Sequence, residues 1–94
     1  LENDTIEKYV IEDVIATDMC VCQEKVYLFD EVSEDGKSYK VYCADITSQS
    51  TRLVADVSSY YNKGEGFGFQ VGYGKNIYFT HNDEILKLRT SRYS

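Results

Sequence analysis

No run in this sequence comes near the roughly 20 consecutive apolar residues that a helix needs to cross a bilayer. Its opening, Leu1-Glu2-Asn3-Asp4, has neither the basic start nor the apolar stretch of a secretory signal. The chain is therefore expected to be soluble, with no membrane partner. Basic residues are also scarce: 10 Lys and Arg stand against 16 Asp and Glu, a formal net charge of -6. That balance argues against nucleic acid, because binding to a phosphate backbone is driven by clustered cations. Cysteine occurs three times, an odd number that argues against a complete disulfide framework and slightly favours a reducing, intracellular compartment. Histidine occurs once, with no nucleophile paired to it in the sequence. Proline and tryptophan are absent, whereas tyrosine occurs nine times. Tyrosine joins flat apolar area to a polar tip, which suits exposed β surface and binding faces alike, and strand formation is the simpler cause of its abundance. At 94 residues the chain is one domain by length. So short a chain buries only a modest part of its unfolded surface, and its stability depends on what packs against it.

What the sequence does contain is β pattern, clearest from Lys25 to Val57. Val26, Tyr27, Leu28 and Phe29 form an unbroken apolar run, as expected of a strand covered on both faces. Asp35-Gly36 marks a reversal, since glycine accepts positive φ and aspartate tolerates it. Tyr39, Val41, Tyr42, Cys43 and Ile46 resume the pattern, Thr47-Ser48-Gln49-Ser50 turns the chain again, and Leu53, Val54 and Val57 make a third run. Upstream, Met19 to Cys22 reads as a short strand joined to Lys25 by a tight Gln23-Glu24 connection. The segment before it, residues 1–17, is polar and frayed at its start and is expected to add a strand over Ile6 to Ile15. Asn3-Asp4-Thr5 fits the glycosylation triplet, a pattern that also arises often by chance.

Downstream, residues 58–66 lack apolar periodicity and read as a loop. Strands are expected over Phe67 to Val71, Asn76 to His81 and Glu84 to Arg89, with turns at Gly72 to Lys75 and Asn82-Asp83. This second portion, residues 67–94, repeats the first, residues 18–57. Asn76-Ile77-Tyr78-Phe79 falls over Lys25-Val26-Tyr27-Leu28, and Gln70-Val71-Gly72 over Met19-Cys20-Val21. With the longer hairpin loop shortened, Glu84 to Leu88 falls over Lys40 to Ala44. A period of about fifty residues is in the range of solenoids and propellers.

The Val-Tyr-Leu-Phe run, its loop, and Lys40-Val41-Tyr42-Cys43-Ala44-Asp45 resemble a β-propeller blade, of the Kelch type or of bacterial propeller-like repeats, over residues 18 to 90. Two departures stand out. Asp30-Glu31 and Thr80-His81 occupy the place of the Kelch glycine pair, and Thr51 or Arg52 the place of its tryptophan. The resemblance implies an all-β fold of antiparallel meanders, about two blade-like units. A ring needs typically four to eight such blades. The chain is therefore expected to be a piece of a larger propeller, as its start at Leu1 also suggests, or to curl into a small sandwich of its own.

The candidate chemistry is thin. Cys20 and Cys22 share one strand face and could join Cys43 and His81 around zinc, but Cys-x-Cys on a strand is a poor zinc pattern, and packing in the core is the expected role. Gly64-Glu65-Gly66-Phe67-Gly68 resembles a phosphate-covering loop, yet its glycine spacing is off and no catalytic loop follows Lys87. These glycines are expected to let backbones approach closely. Asp30, Glu31, Glu34 and Asp35 lack the alternating ligands of a calcium loop, and His81 is expected at the surface of a strand end. No catalytic residue, metal or cofactor is assigned. Phe67 and Phe69 alternate like core residues, which leaves Tyr60 and Tyr61 as the candidate binding residues. The sequence thus points to a non-enzymatic protein-interaction module of a propeller-like scaffold, its partner a protein or the remainder of a larger parent. The alternative is a purely architectural fragment, including one of a propeller enzyme whose active residues lie elsewhere.

Overall fold

Apolar alternation sets the strands of the computed structural model, which describes residues 5–11, 14–30, 39–62 and 65–90. They are β1 (Asp18–Cys22), β2 (Lys25–Asp30), β3 (Lys40–Asp45), β4 (Ser50–Asp56), β5 (Gln70–Tyr73), β6 (Asn76–His81) and β7 (Glu84–Arg89). The fold is all-β. Two antiparallel meanders form, a first sheet in the order β1-β2-β3-β4 and a second in the order β5-β6-β7. One turn of 3₁₀ helix, Ser58–Tyr60, lies between them.

Turn chemistry fixes the registers. Gln23 and Glu24 both have positive φ, 54° and 63°, the requirement of a two-residue hairpin whose twist matches its strands. Cys22 consequently faces Lys25. Between β3 and β4 the Asp45 carboxylate accepts the Ser48 N–H at 3.2 Å, the local bond by which aspartate favours turns. In the second sheet Tyr73 faces Asn76, and His81 faces Glu84 across the Asn82-Asp83 turn. The β5-β6 pairing therefore repeats the β1-β2 pairing about fifty residues on.

The two sheets stack, and the manner of stacking matters. Cys20, Cys22, Tyr27, Phe29, Val41, Cys43 and Val54 of the first sheet share one core with Ile77 and Phe79 of the second, with Leu86 and Leu88 packed against them. In the register of the repeat, Ile77 and Phe79 correspond to Val26 and Leu28, which point to the opposite side of the first sheet. The stacking is thus front to back. Leu28 and Ala44 on that opposite side are covered by Val14, with Ile11 and Ala16 beside it.

Contact between the sheets is closest at β1 and β5. A Cβ on Gly72 would stand 2.1 Å from the Val21 carbonyl oxygen, so only glycine fits there. Beside it the Cys22 thiol donates to the Asn76 carbonyl at 3.3 Å, and the Gln23 amide donates to the Gly74 carbonyl at 2.8 Å. Towards the other strands the gap is filled by rings: Phe29 meets Phe67 and Phe79 edge to face, with centroids 5.1 and 5.4 Å apart. Sheets pinned together along one side and wedged apart by aromatics further out diverge from that side.

Three expectations need correction. The segment before β1 forms no strand among its described residues; its one ladder-like bond is from the Thr17 N–H to the Phe29 carbonyl, at 2.9 Å. The strand expected over Phe67 to Val71 begins at Gln70, because Gly68 lies hard against Thr80 and the chain enters the sheet only after it. Its turn is correspondingly shorter, Gly74-Lys75 alone. The Asp35-Gly36 reversal, and Glu31 and Glu34 with it, lie outside the described residues.

Phe29→Ala removes a fully buried ring from the junction and is expected to cost about 3 to 5 kcal/mol, read as a lower urea midpoint at unchanged slope. Gly72→Val forces the two backbones apart and is expected to cost about 1 to 3 kcal/mol in the same measurement.

Candidate interaction surface

The connection between the sheets is organised by Tyr39. Its backbone N–H donates to Ser58 Oγ at 2.9 Å and its carbonyl accepts the Val57 N–H at 2.8 Å, which turns the chain out of β4. Its phenol lies 2.9 Å from the Asn62 carbonyl and 2.6 Å from the Glu65 carbonyl. Its ring stacks on Tyr61, with centroids 4.5 Å apart and planes 16° from parallel. The 3₁₀ turn between these anchors sends adjacent side chains in different directions.

The two candidate binding residues are parted as a result. Tyr60 is 57 % exposed, whereas Tyr61 is 6 % exposed and lies among Tyr39, Phe67 and His81. Tyr61 therefore belongs to the core, and its ring is not offered to a partner in this fold. Phe67 and Phe69 also part company, against the alternation: Phe67 packs in the aromatic cluster and Phe69 is 87 % exposed. They lie outside any strand, so the period of two does not apply to them. Phe69 is held through its backbone instead, donating to Thr80 Oγ1 at 2.9 Å and accepting the Thr80 N–H at 3.0 Å.

His81 is buried, contrary to its expected place at the surface. The reason is Glu65, whose Oε1 lies 2.8 Å from His81 Nε2 and also accepts the Asn62 N–H at 2.6 Å. These bonds, the Asn62 N–H first and His81 second, hold the Glu65 carboxyl below the usual range of a glutamate. The other ring nitrogen of His81 sits 3.7 Å from a Glu84 oxygen. The arrangement braces the loop onto the end of β6.

The three cysteines are buried and unpaired, all in the shared core. Burial, with Cys22 nearby, pushes the Cys20 thiol up to about 11, and burial pushes the Tyr27 phenol between Cys20 and Cys43 up to about 12. Such groups stay neutral and pack as apolar surface. Among the described residues no three His, Cys, Asp or Glu side chains are grouped to hold a metal ion, and no helix is long and apolar enough to cross a membrane. A cleft of about 430 Å³ at the β3-β4 end of the first sheet sets Lys25 and Arg52 against Glu24 and Asp45, so its charges offset.

No known family model, curated protein or solved structure matches this chain. The surface itself must therefore indicate what the fold presents. Its most unusual part is the outer side of the second sheet, where Val71, Tyr73 and Ile85 are 57, 75 and 72 % exposed beside Phe69, on the side away from Ile77 and Phe79. Sequence reasoning passed over this face because each residue there is ordinary strand material. The Glu65-His81 brace was equally hidden, being a contact between residues far apart in sequence.

A glutamate held below its ordinary value stabilises the fold at pH above about 4.3, its usual unfolded value, and that stability is lost as pH falls through the folded value. Glu65→Gln is therefore expected to flatten the acid side of the melting profile while leaving its shape near neutral pH. Melting curves taken from neutral pH into the acid range check this.

Proposed function

We propose that this chain is a non-enzymatic protein-interaction module of a β-propeller-like scaffold, with Tyr60 on the loop between the sheets as its contact residue. The observation that carries the reading is the front-to-back stacking of two meanders of like register that diverge from one side. Repetition of that step about an axis is how propellers arrange their blades around a channel. Between the sheets, Ser58, Asn62 and Glu65 are tied to Tyr39 and Glu65 to His81, while Tyr60 is left outside, as a contact residue on a preorganised support should be. Tyrosine at such a site offers broad area at small entropic cost.

A second reading, that the unit is architectural and completes a larger assembly, is favoured by the apolar outer side of the second sheet. Isolated exposed apolar residues are normal, but Phe69, Val71, Tyr73 and Ile85 share one end of the fold.

Panning a random peptide library against the folded chain separates these readings. The interaction reading expects binders whose affinity falls about tenfold on Tyr60→Ala, a loss typical of a single contact residue. Binders indifferent to Tyr60→Ala would overturn Tyr60 as the contact.

A further inference from the structure

We infer that the outer side of the second sheet is the docking surface for a second copy of this chain, the copies stacking head to tail through the same pair of faces that meet inside each one. The inference rests on the propeller-like reading above and goes beyond it by naming the occupant. Matching the two halves by register, Cys20, Tyr27 and Val41 of the first sheet correspond to Val71, Tyr78 and Ile85 of the second. In the first sheet these positions form the side that receives the second sheet. In the second sheet Val71 and Ile85 are exposed at these positions with Tyr78 half-buried between them, and Lys87 stands where the first sheet has Cys43. The face is predominantly apolar, and nothing among the described residues covers it.

The complementary face is present at the other end of the same chain. Ile77, Phe79 and Leu86, which enter the internal junction, correspond to Val26, Leu28 and Tyr42, on the outer side of the first sheet. Met19, Val21 and Leu53 extend that side and are each more than half exposed. Val14, with Ile11 and Ala16, covers its middle at Leu28 and Ala44 and packs against Val26 and Tyr42, leaving Met19, Val21 and Leu53 open. They need not be displaced, since within the chain the segment leading into β5 is likewise part of the junction it borders. There Tyr61 and Phe67 are part of the junction rather than an obstruction to it.

Two different faces that fit one another give a heterologous contact, which repeats until the rotation closes a ring. A back-to-back pair through the second sheet alone would instead bring Lys87 and Arg89 towards the same residues of the other copy, a repulsive arrangement. The step between copies differs from the step within one. Val21 stands where Gly72 allows the closest approach, so copies meet there with a side chain between the backbones and at a wider separation.

The test uses two double variants, each altering only residues more than half exposed: Val71→Lys with Ile85→Lys on one end, and Met19→Lys with Leu53→Lys on the other. Circular dichroism and a one-dimensional NMR spectrum confirm that each is folded. Sedimentation velocity of the unaltered chain, from low to high micromolar concentration, is expected to show mass rising above that of the 10.8 kDa monomer. Each double variant alone is expected to remain monomeric. An equimolar mixture of the two is expected to form a species of twice that mass and nothing larger, because one intact junction remains and no further copy can add. An unaltered chain that stays monomeric, an outer-face variant that still associates, or a mixture that does not pair would each overturn the inference. Nuclear Overhauser contacts between Phe29 and Phe79 in the monomeric variants separate two kinds of failure. Their presence with a failed mixing experiment sinks the second copy alone; their absence sinks the stacked-sheet reading beneath it.

Discussion

The absence of a side chain at Gly72 lets β1 and β5 touch backbone to backbone, and the remainder of the fold is arranged around that contact. Each sheet alone is a meander of three or four short strands, too small to be stable in water without a cover. Pressed together along β1 and β5, each becomes the cover of the other. The space that widens away from the contact is occupied by Phe29, Phe79, Phe67, Tyr39 and Tyr61, whose edge-to-face and stacked contacts add about 0.5 to 1.5 kcal/mol per pair beyond their buried area. Small groups at one side and large rings at the other set the divergence of the sheets.

The rings do a second job. Three of the five, Tyr39, Tyr61 and Phe67, come from the entry to β3 or from the connection between the sheets rather than from the strands. The connection is therefore part of the core. Several of its polar backbone groups are met by the Tyr39 phenol and by the Glu65 carboxylate. A loop held in this way can carry an exposed tyrosine without losing its shape, and that is the physical content of reading it as a presenting loop.

Strand existence was largely legible in the sequence, because it depends on local pattern: Val26 to Phe29, Ile77 to Phe79 and the Asn82-Asp83 turn state their roles within a few residues. The match of Lys25 to Leu28 with Asn76 to Phe79 was legible too, and the hairpins that contain them, β1-β2 and β5-β6, pair at the same offset. Where a period was carried into irregular chain it failed: Phe67 and Phe69 alternate but belong to no strand, and Ile6 to Ile15 is β-rich yet forms no strand among the described residues. Tyr60 and Tyr61, adjacent in a loop without periodicity, part at a 3₁₀ turn that the sequence did not announce. His81 could not be placed at all without Glu65, since burial of an imidazole depends on a carboxylate sixteen positions away. Nor does alternation say which side of a sheet faces its neighbour; the front-to-back order is a tertiary fact.

The cross-sheet bonds of Cys22 and Gln23 deserve one more consequence. Both lie at the turn end of β1, and both reach carbonyls of the Gly74-Lys75-Asn76 corner, so the two sheets are bound along a single margin like the leaves of a book at its spine. Further out, among the described residues, the sheets are held only by the packing of Phe29, Phe67 and Phe79, which carries no directional bond, so the polar fixing of one sheet on the other is concentrated at the turn end of β1.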